Sequence, residues 1–258
     1  MYYILWGLLA LFLLSFGMLL CLHFGRKYAI WQEHREHIKK FEDMPMAEGA
    51  VMGLMALLVS FTFANASGKF DARRLLAVDD VNAIGTAYLR LDLLEPPLRA
   101  ELQQDFRDYL DARLEIYSFL PDLDAATKAV GRAKALQQQI WVKAAQGCEK
   151  EPYLAACIIL LPALNEMFDI ANKRFAYSQI HPPGMVLGLL IVVALLSSLL
   201  TGYRMKNIKI THSLHIISYV IIIAFTIYVI IDIDYPRLGF IRMDAFDQSL
   251  IDLRASMK

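Results

Sequence analysis

The stretch FTFANASGKFDARRLLAVDDVNAIGTAYLRLDLL, Phe61–Leu94, decides the fold. It begins as apolar as a membrane span and, with no proline, passes into a charged helix. Asp79, Asn82, Thr86 and Arg90 follow one another at steps of three, four and four, which places them on one helical face. Ala83, Ile84, Gly85, Ala87 and Leu89 surround them. A glycine in mid-helix costs ~1 kcal/mol relative to alanine, so Gly85 predicts a tight contact with another helix. Two readings of the stripe are open. It is a polar seam inside a bundle, with Asp79 and Arg90 neutralised by neighbours, or it is the polar wall of a water-filled passage.

The apolar half of the stretch belongs to a wider pattern. The chain has 258 residues, 57% of them hydrophobic, and they gather in blocks towards both ends. A bilayer core of ~30 Å takes ~20 apolar residues as a helix. Tyr2 to Phe24, Met46 to Asn65, Met185 to Tyr203 and Leu214 to Ile231 meet that length. The first lacks the basic start and small-residue cleavage pattern of a signal peptide. The expectation is an all-α integral membrane protein with four transmembrane helices. Residues 1–66 hold the first two spans and a basic loop, 67–184 an extramembrane helical domain, 185–234 the last two spans, and 235–258 a C-terminal tail.

Between the second and third spans the helical period dominates. Phe70 to Leu94 reads as one helix, stopped by Pro96-Pro97. Leu98, Leu102, Phe106, Tyr109, Leu110 and Leu114 mark the face of the next. Asp122 or Asp124 caps a third helix that Gly147 ends. Pro152 opens a fourth, kinked at Pro162. Within it CIILLPAL is followed at once by Asn165, Glu166 and Asp169, so it reads as a buried helix and not a fifth span. Cys21 lies in a span. Cys148 and Cys157 flank the break at Glu151-Pro152 and can pair if the central domain faces an oxidising compartment.

Lys and Arg near the spans set orientation. The two short loops carry Arg26, Lys27, Arg35, Lys39, Lys40, Arg204, Lys206 and Lys209. The other side carries Lys69, Arg73, Arg74, Lys173, Arg174, Arg237 and Arg242. Eight against seven is close to a tie, but long translocated domains count for little. The balance puts the short loops inside and the central domain and termini outside.

No catalytic constellation stands out. There is no Gly-rich phosphate loop, no nucleophile elbow and no paired CxxC, so the chain does not read as an enzyme and implies no cofactor. EHREH sets His34 and His37 three apart, an incomplete metal site that reads as a solvated loop. Asp232 and Asp234 could bind a cation at the membrane edge, cap the structure or pair with Arg237. No basic stripe interleaved with aromatics points to nucleic acid.

The segments FTFANASGKFDARRLL and VNAIGTAYLRLDLL, with the late DIDYPRLGFIRMD, resemble a widespread family of uncharacterised bacterial membrane proteins described as bestrophin-like. The resemblance runs from Glu48 to Asp244. The chain is more distantly similar to bestrophin channels, whose second span ends in a Phe-Arg-x-Asn pattern followed by an aromatic-rich Glu-Ala-Arg segment and a later Val-Asn. Phe63, Asn65, Phe70, Asp71, Ala72, Arg73, Val81 and Asn82 match, while Ala64 stands where that arginine is usual.

The resemblance implies a homopentameric ion channel of a bacterial inner membrane. Its partners are the lipid bilayer, further copies of itself and inorganic ions. The second span lines the pore and continues into a helical vestibule walled by Asp79, Asn82, Thr86 and Arg90. Apolar residues four apart form the neck: Met55, Val59 and Phe63 in the preferred register. Counting from Phe61 gives Leu57 and Gly53, which leaves one ring empty. Bestrophins place the central domain and termini in the cytosol, the reverse of the charge count. A reading from another class stays open, a membrane-anchored sensing or interaction module with no pore.

Overall fold

The protein, seen here as a computed structural model, is described for residues 2–35, 45–119, 122–149, 154–205, 213–236 and 239–257. The chain runs α1 (Tyr2–Arg35), α2 (Pro45–Arg90), a 3-10 turn (Leu91–Leu93), α3 (Leu98–Ser118), α4 (Leu123–Cys148), α5 (Leu154–Gln179), α6 (Gly184–Arg204), α7 (Ser213–Asp234) and α8 (Asp244–Ser256). No strand occurs among the described residues. Four helical stretches are long and apolar enough to cross a membrane. The chain divides into two units, Met1–Phe70 with His181–Ile241, and Asp71–Ile180 with Arg242–Lys258.

The first unit holds the four spans: α1, the first half of α2, α6 and α7. Its core is small, built on Met18, Leu22, Met55, Val193, Ala194, Val220, Ala224 and Ile227. Much of its large apolar surface faces outward instead, including Phe12, Phe16, Val192, Ile222 and Phe225. That is the inverse of a water-soluble domain and suits a lipid solvent, in which helices associate by close packing. The closest approach is between α1 and α6. A Cβ on Gly25 would lie 2.1 Å from the Leu199 carbonyl oxygen, and one on Gly202 would lie 2.1 Å from the Leu22 carbonyl oxygen. Only glycine fits where two backbones touch in this way. Arg204 closes the same end with an ion pair to Glu48 at 3.3 Å.

The second unit packs the rest of α2 with α3, α4, α5 and α8. Leu102, Phe106, Tyr109 and Leu110 of α3 are fully buried, the face that the spacing predicts. Asp122 caps α4, its carboxylate accepting from the amides of Asp124 and Ala125. That helix runs one residue past Gly147, to Cys148, because Gly147 lies inside a packed contact: a Cβ there would come within 2.3 Å of Leu98. Pro162 sits inside α5, whose Cys157, Leu160, Ala163, Leu164 and Met167 are buried in this unit. Cys148 and Cys157 form a disulfide with Cα atoms 5.8 Å apart, which resolves the pairing left open by the sequence.

The C-terminal segment departs from the expected separate tail. Arg242 onward folds into the second unit, and α8 is a helix with Leu250 fully buried. Arg254 donates to both oxygens of Asp111, at 2.8 and 3.0 Å. The tight contact predicted at Gly85 is not found: a Cβ there would meet Leu253 of α8 at 3.5 Å, an ordinary van der Waals distance.

Candidate functional site along the second helix

Helix α2 is unbroken over 46 residues and much of it is exposed, Leu54, Ala56, Ser60, Phe63 and Asn65 among them; one row of exposed positions continues along its length. In the first unit Gly53, Leu57, Phe61, Ala64 and Gly68 are exposed; in the second, Asp71, Leu75, Asp79, Asn82, Thr86 and Leu89 are exposed. These positions recur at steps of three and four, the ~3.6-residue period of an α-helix. Leu57 is 52% and Phe61 67% exposed. A Cβ at Gly53 or Gly68 would meet nothing within 4 Å. The face is apolar around Leu57 and Phe61 and polar from Asp79 to Thr86.

The expected neck residues sit elsewhere on the helix. Met55 is turned into the span packing at 5% exposure, and the Ser197 hydroxyl donates to its sulfur at 3.3 Å. Val59 is half-buried against the same core. Phe63 is exposed but lies two residues out of step with Leu57 and Phe61. The four stripe residues also divide. Asp79, Asn82 and Thr86 are exposed. Arg90 is half-buried and donates to the Ile159 carbonyl at 2.7 Å. Pro162 lacks the amide proton that would pair with the Ile158 carbonyl, one residue before the carbonyl that Arg90 reaches.

The buried acid of α2 is Asp80, not Asp79. It is fully buried, and both Arg113 of α3 and Arg174 of α5 donate to its carboxylate. Arg113 also donates to the Tyr109 phenol oxygen at 2.7 Å. Burial works against the Arg113 charge, but Tyr109 and Asp80 outweigh it and hold the guanidinium's pKa well above the ordinary arginine range. Burial pushes the Tyr109 phenol up. The sequence carried a signal for Asp80: Leu76, Ala77, Ala83, Ile84 and Ala87 are its helical neighbours at three, four and seven residues. Arg73 is buried as well, donating to the carbonyls of Tyr177 and Ile180 at the end of α5, where cations suit the helix terminus.

No family model matches the chain, and no curated protein sequence matches it. Solved structures do. A bacterial bestrophin homologue from Klebsiella pneumoniae superposes with a TM-score of 0.68 at 11% identity, covering 96% of this chain and 98% of that one. A singly substituted form of the Klebsiella protein gives 0.65 at 10% identity over 96% and 98%. A structure described as a membrane protein gives 0.68 at 10% identity over 97% and 99%. The chain has the bestrophin fold. It is a multi-pass membrane protein, and at this identity the likeness speaks for the fold alone.

In the late motif DIDYPRLGF the described residues gather on two acids. Asp232 is buried and accepts from the amides of Phe240, at 3.1 Å, and Ile241, at 2.8 Å. Gly239 lies so near that a Cβ would fall 1.3 Å from an Asp232 carboxylate oxygen. Asp234 is buried and lies 2.9 Å from His181 Nδ1, and the imidazole stacks on Tyr235 at 4.3 Å. Both carboxylates are thus occupied by protein groups, which favours the capping reading over a cation site. Arg237, the other suggested partner, and His37 of EHREH lie outside the described residues. No group of three or more acids, histidines or cysteines fit for a metal occurs among the described residues.

Proposed function

We propose that the chain is one protomer of a homo-oligomeric ion channel, a pentamer as its fold suggests, with the open face of α2 turned to the axis. The observation that carries this reading is the row of exposed α2 residues, apolar at Leu57 and Phe61 in the first unit and polar at Asp79, Asn82 and Thr86 in the second. A helix buried in its own bundle would have that face covered. In a symmetric ring each position repeats around the axis, so Leu57 and Phe61 become two apolar rings. Such constrictions gate by dewetting. Asp79, Asn82 and Thr86 then offer a hydrated wall. Met55 and Val59 serve packing in this reading, and Gly53 leaves a wide position at one end of the neck.

The disulfide and the loop charges support one orientation. Disulfides persist in oxidising compartments such as the bacterial periplasm, and Cys148–Cys157 lies in the second unit. Both support a second unit outside the inner membrane and the end of α1 that carries Arg26, Lys27 and Arg35 inside, as the positive-inside rule prefers. Planar-bilayer recording tests the reading: purified protein should pass ionic current, and the Phe61→Ala variant should pass more at rest than its parent.

A further inference from the structure

A ridge of large apolar side chains runs along α1 at steps of four. Phe12, Phe16, Leu20, Phe24 and Tyr28 are 64, 51, 40, 58 and 57% exposed. At its end the ridge changes chemistry. Tyr28 stacks on Trp31 at 5.8 Å and lies 6.2 Å from the Tyr203 ring of α6. The Arg35 guanidinium sits 5.0 Å over the Trp31 ring. Lys27 beside Tyr28 is exposed. Arg204 adds a third cation, its side chain 62% exposed while it pairs with Glu48. Among the described residues, Glu33 and Glu48 are the acids of this end.

From Phe12 to Phe24 the helix rises ~18 Å at ~1.5 Å per residue. That is a little more than half of a ~30 Å hydrocarbon core, the depth of one leaflet. Tyrosine and tryptophan favour the interface above it, and Lys and Arg there attract anionic headgroups. Apolar, aromatic and cationic groups thus follow one another in the order that a phospholipid presents its own parts. We infer that this ridge seats a phospholipid with an anionic headgroup. One acyl chain lies along Phe12 to Phe24, and the phosphate rests at the level of Tyr28 and Trp31 in the field of Lys27, Arg35 and Arg204. The site stands on the membrane fold and is independent of the channel reading.

Native mass spectrometry of delipidated protein tests the site, with phosphatidylglycerol or phosphatidylcholine of equal chain length added back. Phosphatidylglycerol should be retained in preference. The double variant Lys27→Gln, Arg35→Gln should retain it roughly thirtyfold less, at about one kcal/mol per basic residue and tenfold per ~1.4 kcal/mol. Equal retention of the two lipids by the parent protein overturns the proposal without reference to any variant, and so does a double variant that folds and retains the lipid as the parent does. Displacement of the lipid by millimolar inorganic phosphate would make this a simple anion site and overturn it. Efficient cross-linking between copies through Phe16→Cys would show the ridge to be a subunit contact and overturn it equally.

Discussion

Asp79 and Asp80 are adjacent in sequence and opposite in environment, and the difference separates stability from transport. Removing one partner of a buried ion pair costs ~3–5 kcal/mol. Asp80→Ala leaves Arg113 and Arg174 facing an emptied site, so its denaturation midpoint should fall steeply. Asp79→Asn changes an exposed group and should stay within ~0.5 kcal/mol of the parent. In a bilayer, Asp79→Asn should lower the permeability of cations relative to anions; an unchanged reversal potential would remove Asp79 from the pathway. The polar stripe was legible as a spacing, yet its members play different parts. Helical phase placed Asp79, Asn82 and Thr86 together, but it could not show that Arg90 is drawn aside to a carbonyl near a proline three helices later in the chain. Long-range side-chain partners leave no local period to read.

Two elements carry predictions of their own. Helices α1 and α6 meet backbone to backbone at Gly25 and Gly202, and any side chain at these positions forces them apart. Gly202→Val should lower thermal stability well beyond the ~1 kcal/mol typical of single substitutions, whereas Gly53→Ala, with open space around it, should not. Equal melting temperatures for the two variants would show that the contact is not tight. The four spans, the α3 face and the Asp122 cap were readable because each follows local rules of hydropathy, period or capping. Helix α8 was missed for the opposite reason. It is short and largely polar, and its only signal is Leu250, Leu253 and Met257 at steps of three and four. Its place is fixed by tertiary contacts, Leu250 in the core and Arg254 on Asp111. The neck register is not readable from spacing either. Met55, Val59 and Phe63 have the required spacing, but spacing alone cannot tell the face that packs on Ser197 from the face left open.

For the whole molecule the account predicts a topology and a conduction path. A cysteine at the exposed Lys128 position of α4 should react with a membrane-impermeant thiol reagent in intact cells stripped of their outer membrane. Reaction only after the inner membrane is opened would reverse the orientation and place the disulfide in a reducing compartment. The fold class was legible because membrane spans impose length and composition together; the route through the assembly was not, since it depends on surfaces that a single chain leaves uncovered. Current in planar bilayers is the most direct test of the central claim, measured on the parent protein, Phe61→Ala and Phe63→Ala at equal amounts of assembled oligomer. The account predicts a parent that conducts, a larger resting conductance in Phe61→Ala and little change in Phe63→Ala. A larger conductance in Phe63→Ala alone would turn the pore to the other register, and silence from all three assembled proteins would contradict the channel itself.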